Sequence, residues 1–420
     1  MKRLNIKIQT HGCKLNIADS QGIAKSFHAA GHTISSVNDN NADVFILNSC
    51  TVTHVADSKA RQAIRRARRI SPEALIVMTG CYAERDKKNI ESINEVDLVL
   101  GNKEKKYIVD EVLNKLDIQI KEKIKPIGGY PLIGRSRASI KIQEGCDQVC
   151  SYCIIPSVRG RERSVPPESL ISQINELSTN GIKEVVLTGT QLGNYGFDLG
   201  GASLSKLLVK ILKETEVPRI RVSSLQPKEI DGEIINIWNN DGFGRICPHF
   251  HVPLQSGSDR ILKDMRRRYT SSEYLDIVSN IKDLVPESSV TSDVIVGFPG
   301  ETDSEFSQTI DVVGKAGLSD VHVFPYSKRP GTTAFYSKSH VQEQVIKERS
   351  KELLNLVNKL SDEAKKSLIG KERSVLWEGQ SKISGLTEDY FKVSRKISNV
   401  PINEISKEEI KGLEDNKIIV

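Results

Sequence analysis

The first part of the chain alternates short apolar runs with amphipathic segments. Helical periodicity is found over residues 17–30 and 55–70. Three apolar runs around these segments are typical of buried strands: 4–10, 43–48 and 74–78. Buried strands separated by helices are characteristic of a parallel α/β sheet. The pattern therefore predicts an N-terminal α/β domain over residues 1–117.

The remaining pattern predicts a linker and two further domains. Residues 118–137 are rich in Lys and then in Pro and Gly, as in a linker. Residues 138–368 resume the alternation, with helices such as 168–180 and 274–284 and a long polar helix over 341–368. The predicted strands are 139–143, 184–187, 220–223, 250–253, 290–296 and 321–324. Six β/α units predict a partial (β/α)6 barrel. Residues 369–420 have three short strand-like runs, 374–377, 391–394 and 418–420, with turns between them, and predict a small β domain.

Composition narrows the class of protein. The chain has 420 residues, a net charge of +6 and seven cysteines. It has no apolar run of about 18 residues and no pattern of a signal peptide, so we expect a cytoplasmic protein with no membrane contact. An odd number of cysteines without an export signal argues against a disulfide framework. Metal binding or catalysis is the better interpretation of these cysteines.

Three cysteines form the compact motif C-x3-C-x2-C directly after the predicted strand 139–143. They are Cys146, Cys150 and Cys153. Three thiolates on one loop can ligate three irons of a [4Fe–4S] cluster and leave the fourth iron open for chemistry. The alternative is a structural zinc site, which needs four ligands. No further Cys or His follows within thirty residues, so we favour the cluster.

Three more cysteines are far apart in sequence but occupy equivalent places. Cys13, Cys50 and Cys81 each follow a predicted strand, at intervals close to one βαβ unit. The carboxyl ends of parallel strands share one edge of the sheet, where ligands bind in open α/β folds. We therefore predict a second [4Fe–4S] cluster held by these thiols. The alternative is that they are three buried cysteines that act as small apolar side chains.

The chain resembles the radical S-adenosylmethionine (SAM) methylthiotransferase family. The resemblance covers nearly the whole chain, and the matching segments are 12–16, 48–53, 80–83, 146–163, 187–189, 223–225, 253–258 and 297–301. It implies a flavodoxin-like N-terminal domain, a radical SAM barrel and a C-terminal TRAM-like domain. It also implies two [4Fe–4S] clusters and SAM as cofactors. In this superfamily, the open iron chelates SAM, and an electron from the cluster then cleaves SAM to a 5′-deoxyadenosyl radical.

Details of the motifs resemble one branch of the family. Gly-Cys-Lys-Leu-Asn at 12–16, Cys-Thr-Val-Thr at 50–53 and Cys-Ser-Tyr-Cys-Ile-Ile-Pro at 150–156 resemble the branch that modifies threonylcarbamoyladenosine. This implies conversion of N6-threonylcarbamoyladenosine at tRNA position 37, 3′ of the anticodon, to its 2-methylthio form. An electron donor and a sulfur source are then needed, and the sequence identifies neither. The alternatives are methylthiolation of isopentenyladenosine in tRNA or of a ribosomal protein side chain. A further alternative from another class is a non-catalytic RNA-binding protein with zinc or an iron–sulfur cluster.

The same resemblance implies contacts to SAM at the ends of barrel strands. The implied residues are Tyr152, Thr188, Gly189, Ser223, Gln255, Val296 and Gly297. Thr188-Gly189 could instead be a simple turn at the end of a strand. Cys247, His249 and His251 alternate along a predicted strand and could chelate a metal. We favour barrel lining for them, because both cluster sites are complete without them.

Basic residues offer sites for RNA phosphates. The candidates are Arg65, Arg69, Arg159, Arg161, Arg163, Arg266 and Arg267. The alternative for each of these runs is a solvated face. Residues 371–420 hold nine basic and nine acidic side chains, so charge gives no support for RNA binding by the C-terminal domain.

Overall fold

The computed structural model describes residues 3–35, 42–118, 136–240, 244–378, 384–395 and 402–420. The N-terminal strands are β1 (Asn5–Thr10), β2 (Thr33–Ser35), β3 (Val44–Ser49), β4 (Leu75–Gly80) and β5 (Leu98–Leu100). The helices are α1 (Lys14–Ala29), α2 (His54–Ile70), α3 (Cys81–Arg85), α4 (Lys87–Glu91) and α5 (Ile108–Lys115), with a 3-10 turn at Glu104–Tyr107. The predicted linker lies almost entirely outside the described residues.

The N-terminal strands form one parallel sheet in the order β2-β1-β3-β4-β5. Every residue of β3 and β4 is buried. Successive side chains of a strand point to opposite faces, so Ile46 packs in one apolar core while its neighbours Phe45 and Leu47 pack in another. Helices cover both faces, which explains the continuous apolar runs in the sequence.

The central region is a partial barrel of six parallel strands. Its strands, with one short hairpin, are β6 (Arg137–Lys141), β7 (Gln143–Glu144), β8 (Arg163–Ser164), β9 (Glu184–Thr188), β10 (Arg219–Val222), β11 (His249–His251), β12 (Ser289–Val296) and β13 (Asp320–Pro325). They form the sheets β10-β9-β6 and β11-β12-β13, which are joined by the bridges Ile220–Ile246 and Ser224–His251. This confirms the predicted α/β barrel.

Helices surround the barrel strands. They are α6 (Ile155–Arg159), α7 (Pro167–Thr179), α8 (Leu204–Glu214), α9 (Gly232–Asn239), α10 (Asp259–Asp264), α11 (Ser271–Leu284), α12 (Asp303–Ala316) and α13 (Glu343–Lys366). Further 3-10 turns lie at Leu192–Asn194, Pro227–Glu229 and Thr333–Tyr336. None of the helices in the described part of the chain is long and apolar enough to cross a membrane.

The described strands of the C-terminal region form a mixed six-stranded sheet. They are β14 (Glu372–Glu378), β15 (Ser384–Thr387), β16 (Lys392–Ser394), β17 (Ile405–Glu409), β18 (Gly412–Glu414) and β19 (Lys417–Ile419), in the order β17-β14-β15-β16-β19-β18. Arg219, at the start of β10, donates to the Ser374 carbonyl at 2.8 Å, and Arg221 donates to the Glu388 carbonyl at 3.0 Å. This sheet therefore packs against the end of the barrel at which the strands begin and leaves their carboxyl ends free.

Candidate active site

The first cysteine triplet lies at one edge of the N-terminal sheet. β1, β3 and β4 are adjacent, and Thr10, Asn48 and Thr79 are paired across them near their carboxyl ends. Three cysteines follow these ends within three residues: Cys13, Cys50 and Cys81. The parallel register thus brings together side chains that are widely separated in sequence.

The backbone around this triplet is closely packed. Gly12 has a φ of 123°, and a Cβ at this position would lie only 2.6 Å from the Cβ of Cys50. A side chain at position 12 is therefore excluded both by conformation and by space. Burial and, to a smaller extent, the neighbouring thiols of Cys13 and Cys81 raise the pKa of Cys50 to about 12. The three thiols are thus close enough to influence one another.

The second triplet lies on the loop that follows β7, at the carboxyl-end mouth of the barrel. The Cys153 amide donates to the Cys150 carbonyl at 3.1 Å, which closes a turn between them. The Cys146 Sγ is 3.1 Å from the Gln191 Oε1. Burial, with a smaller contribution from nearby thiols, raises the pKa of Cys146 to about 11 and that of Cys153 to about 12.

The donor sets of both triplets fit iron–sulfur clusters better than zinc. Thiols that converge on one place become thiolates when a cationic centre is bound, which is the usual state of Cys ligands. Within the described residues, one group of His, Cys, Asp and Glu side chains is close enough to share a single metal ion: His251, Asp293 and His322. Neither cysteine triplet is therefore arranged around one zinc ion, whereas the three-thiolate sets suit a [4Fe–4S] cube.

The two triplets lie on either side of a small apolar contact. Cys81 packs in one cluster with Ile154 and Val158, which follow Cys153 in sequence. The Asn102 amide donates to the Val158 carbonyl at 2.6 Å and lies 3.8 Å from the Cys81 Sγ. The N-terminal sheet edge and the barrel mouth therefore face the same region.

Arg159 corrects one expectation from the sequence. Its buried guanidinium bonds Asn16 at 2.5 Å, Asp19 at 3.1 Å and Glu144 at 2.6 Å. Lys105, Lys141 and Arg159 hold the pKa of Asp19 well below its usual range, against the effect of burial. Because its donors are already engaged, Arg159 fastens the N-terminal domain to the barrel rather than offering a surface site for RNA phosphate.

The predicted SAM contacts lie at the ends of barrel strands. Thr188 and Val296 are the buried last residues of β9 and β12, and Gly189 and Gly297 follow them. Ser223 follows β10, and its amide donates to the Leu187 carbonyl at 3.0 Å. Two more contacts lie beyond other elements of this mouth: Gln255, with a φ of 66°, and Tyr152, whose ring centroid is 6.5 Å from that of Phe298. The structure brings these residues to one mouth, and their roles stay predictions.

Two polar residues at this mouth have roles that the sequence analysis missed. The buried Gln143 Oε1 accepts from the amides of Thr190 and Gln191, at 2.9 and 3.0 Å, and so shapes the loop after β9. Arg267 lies with its Nη1 3.5 Å from the Cys150 Sγ and its Nε 3.2 Å from the Tyr269 hydroxyl. This position corrects its assignment to the RNA surface, because the guanidinium faces the cysteine loop. Arg267 and Cys150 are 117 residues apart in sequence, so no local sequence pattern could show that they are neighbours.

The other basic candidates lie at the surface. Arg65, Arg69, Arg161, Arg163 and Arg266 are exposed. Arg161 lies 3.2 Å from Asp147, and Arg163 lies 3.6 Å from Glu144. On α2, Arg68 is different because its guanidinium bonds the Asp97 carboxylate at 2.5 Å. Arg65 lies 4.0 Å from the Glu95 carboxylate, too far for a hydrogen bond, so Arg65 and Arg69 remain available for phosphate.

Polar side chains line the barrel lumen. The Thr291 hydroxyl lies 2.9 Å from both His249 Nε2 and His251 Nδ1, and Asp293 bonds His251 at 3.2 Å and His322 at 3.0 Å. These contacts form a hydrogen-bond chain from His249 to His322 along the lumen, which supports barrel lining, although the buried His249 Nδ1 has no partner among the described residues. Cys247 is buried and is not part of the group.

Lys14, from the N-terminal domain, shares this lumen. Burial and, to a smaller extent, the guanidiniums of Arg221 and Arg137 lower the pKa of its ammonium to about 8. Its Nζ lies 5.3 Å from the ring centroid of Tyr390, a residue of the C-terminal domain. The ring of Tyr390 in turn stacks on His249, with 4.2 Å between centroids.

Comparisons with known proteins agree with this geometry. Residues 5–101 match a family described as uncharacterized protein family UPF0004, and residues 140–313 match the radical SAM superfamily. The threonylcarbamoyladenosine tRNA methylthiotransferase MtaB of Bacillus subtilis is 38% identical, over 96% of this chain and 93% of that protein. The protein of the same name from Thermotoga maritima is 37% identical, over 99% of this chain and 96% of that protein.

A second kind of relative and a solved structure extend the comparison. The tRNA-2-methylthio-N(6)-dimethylallyladenosine synthase of Caldicellulosiruptor saccharolyticus is 34% identical, over 94% of this chain and 87% of that protein. Among solved structures, the radical SAM methyltransferase TsrM from Kitasatospora setae superposes with a TM-score of 0.55 at 14% identity, over 79% of this chain and 75% of that one. At this identity, the likeness concerns the fold alone.

Proposed function

Because this chain belongs to the radical SAM methylthiotransferase family, we propose that it converts N6-threonylcarbamoyladenosine at position 37 of tRNA to the 2-methylthio form. The observation that carries the proposal is the convergence of two cysteine triplets on one region, with Cys81 packed against Ile154 and Val158. A methylthiotransferase must present sulfur and activate carbon at one place, and this arrangement meets that need.

One cluster and SAM follow from the family, and a second cluster is our own assignment. Radical SAM enzymes use a [4Fe–4S] cluster and SAM, which supply a 5′-deoxyadenosyl radical when bound. We assign the ligation of that cluster to Cys146, Cys150 and Cys153. We assign a second [4Fe–4S] cluster, at which sulfur is presented, to Cys13, Cys50 and Cys81. The position of one set of thiols at a single sheet edge and of the other set on a single tight loop supports both assignments.

The protein's own residues position the reactants and limit the access of water. The inert C2–H bond of adenine lies outside ordinary acid–base catalysis, so the protein contributes binding and orientation. Gln143 fixes the loop that carries Gly189, and Arg267 places a positive charge beside Cys150. The SAM contacts proposed above lie around the same mouth. The apolar side chains of Ile154 and Val158 exclude water from the space between the triplets.

We propose the following division of the chain. Residues 1–117 form the sulfur-presenting domain, 118–137 a linker, 138–368 the radical SAM barrel with its following helix, and 369–420 a TRAM-like domain. The substrate is a tRNA, which Arg65, Arg69, Arg161, Arg163 and Arg266 could hold by its phosphates. The proposal further includes a cytoplasmic location, an electron donor and a separate sulfur source.

The experiment is anaerobic modification of defined tRNA. Reconstituted enzyme is incubated with SAM, dithionite, sulfide and tRNA that carries threonylcarbamoyladenosine, and the nucleosides are analysed by mass spectrometry. We expect the 2-methylthio nucleoside from this tRNA only. Product from isopentenyladenosine tRNA instead would transfer the assignment to that branch. Product from neither tRNA, with both clusters present, would contradict the proposed function.

A further inference from the structure

The ammonium of Lys14 is an uncompensated charge in the barrel lumen. Lys14 directly follows Cys13, in the first turn of α1, and this helix packs against β6 of the barrel. Two cations lie near one ring, since the Lys14 Nζ is 5.3 Å and the Arg221 guanidinium carbon 5.0 Å from the Tyr390 centroid. No acceptor in the part of the chain that the structure describes lies within hydrogen-bonding distance of the Lys14 Nζ.

The two nearest anions are engaged with other partners. Glu184 is buried and accepts from Arg221 at 2.8 Å and from Arg219 at 3.2 Å. Asp293 is held between His251 and His322, at 3.2 and 3.0 Å. Taking a charge even partly out of water is costly unless the charge is paired, and the Lys14 side chain is partly buried. The lumen beside Lys14 therefore favours an added anion.

The lumen is open enough to admit a ligand. The His322 side chain, which faces Asp293, is 56% exposed, and the Asp293 side chain is 25% exposed. Lys14 itself is only partly buried by surface area. Solvent therefore reaches side chains that share the lumen with Lys14, and a small anionic group can occupy the space that this solvent fills.

We propose that Lys14 binds the carboxylate of the threonylcarbamoyl substituent and so selects an adenosine with an anionic N6 group. The inference rests on the proposed function, in which the modified base lies between the two triplets. Lys14 directly follows Cys13, which belongs to the first of these triplets. A threonine-derived substituent ends in a carboxylate, whereas an isopentenyl substituent is apolar and would leave the ammonium unpaired. A site that holds a buried polar group rejects an analogue that cannot satisfy it.

The test compares two anticodon stem-loops that differ in one group. One carries threonylcarbamoyladenosine, and the other carries the same nucleoside with the carboxylate replaced by a neutral carboxamide. Equilibrium binding is measured by fluorescence anisotropy with reconstituted full-length protein, alongside kcat/KM for methylthiolation. The variants are Lys14→Met, which removes the charge, and Lys14→Arg, which keeps it. Lys88→Met, at an exposed lysine on α4, is the matched control, and iron content is recorded for each protein.

We expect wild type and Lys88→Met to bind the carboxylate stem-loop about 10- to 100-fold more tightly than the carboxamide, as for a charge-assisted hydrogen bond. Lys14→Met should reduce this ratio to within about threefold of one, and Lys14→Arg should restore part of it. A full ratio in Lys14→Met, or no preference in wild type, would overturn the inference. Failure of the proposed function would instead appear as no methylthiolation of either stem-loop by wild type, whatever the binding ratio.

Discussion

The buried guanidinium of Arg329 donates a hydrogen bond of 2.7 Å to the carboxylate of Asp57. Asp57 lies in the first turn of α2 and accepts a second hydrogen bond of 2.7 Å from the Thr51 hydroxyl. Thr51 directly follows Cys50. The segment after β13 of the barrel is therefore connected, through two buried contacts, to the loop that carries a cysteine of the first triplet.

Replacing Arg329 by Met should destabilise this connection. The Asp57 carboxylate would remain buried, with Arg85 at 3.1 Å as its remaining basic partner. Breaking a buried pair usually costs about 3–5 kcal/mol, and the remaining Arg85 reduces this to roughly 2–3 kcal/mol. We expect Tm to fall by about 5 °C in thermal unfolding followed by circular dichroism. Arg66→Met, at an exposed residue of α2, is the control, and an equal Tm for both variants would contradict the prediction.

A capping box predicts one source of acid sensitivity. Glu305 accepts from the Thr302 amide and hydroxyl, at 2.7 and 2.8 Å, at the start of α12. Its hydrogen bond from Arg260, followed by the bond from the Thr302 amide, lowers the pKa of Glu305 to about 2. An unfolded Glu has a pKa of about 4.3. The lowered value therefore stabilises the fold above about pH 4.3, and this contribution is lost as the pH falls towards 2.

Glu305→Gln should remove this contribution. The Tm difference from wild type should be largest near pH 7 and should shrink steadily below about pH 5. Thermal unfolding of the metal-free protein at several pH values measures the difference. Asp311→Asn, at an exposed position of the same helix, should show no such trend. A Tm difference between wild type and Glu305→Gln that stays constant down to pH 3 would show that the Glu305 carboxylate does not stabilise the fold through its charge.

The sequence predicted those features that depend on local pattern. Long apolar runs and regular spacing were sufficient for β3, β4 and β12, and for placing Cys13, Cys50 and Cys81 after parallel strands. The three-residue strands β2 and β5 are too short to have a recognisable period, and their pairing comes from the neighbouring sheet. The described residues of the C-terminal sheet include six strands, whereas three were predicted, because exposed edge strands such as β17 carry mostly polar residues.

Long-range electrostatics could not be predicted from the sequence. Arg159 and Arg267 were grouped with surface arginines because a basic residue in a run has the same pattern whether it faces solvent or a partner. Arg159 is buried and bonds Asp19 and Asn16, which are 140 and 143 positions away from it in sequence. Arg267 faces Cys150 across 117 positions. Only the fold reveals these pairs, since neither separation has a periodic signal.

Iron content tests the proposed ligation. A variant with Cys146, Cys150 and Cys153 all replaced by Ala should retain about half the iron of wild type, because each [4Fe–4S] cluster holds the same number of irons. Iron and sulfide are measured after anaerobic reconstitution, with absorbance spectra. Cys247→Ala changes the buried seventh cysteine and should keep all of the iron. Unchanged iron in the triple variant, or complete loss from a folded one, would contradict two separate clusters.

The exposed arginines of α2 predict a salt-dependent contact. Arg65 and Arg69 are exposed and one helical turn apart, so reversing both to Glu should weaken tRNA binding and reduce the slope of log K against log salt by about one to two. Filter binding from low to moderate salt measures the slope. Lys347→Glu with Lys351→Glu makes the same change in net charge on exposed positions of α13. If both double variants behave alike, the effect is one of overall charge, and α2 is not a contact surface.

The two cysteine triplets should have separable roles. A variant with Cys13, Cys50 and Cys81 replaced by Ala retains the barrel cysteines and the residues around the mouth of β9 and β12. Under reduction with dithionite, it should still release 5′-deoxyadenosine from SAM, because that step needs only the barrel site. It should form no methylthiolated tRNA, because the site that presents sulfur is missing. The variant without the barrel cysteines should form neither product.

The measurement is anaerobic incubation followed by chromatography for 5′-deoxyadenosine and for the modified nucleoside. Both variants are first shown by absorbance to hold their remaining cluster, because the Arg159 contacts to Asn16 and Asp19 connect the two regions and a change in one could disturb the other. Methylthiolated nucleoside from the N-terminal triple variant would contradict the division of roles. Loss of 5′-deoxyadenosine from that variant, with its barrel cluster intact, would show instead that both triplets are needed for cleavage of SAM.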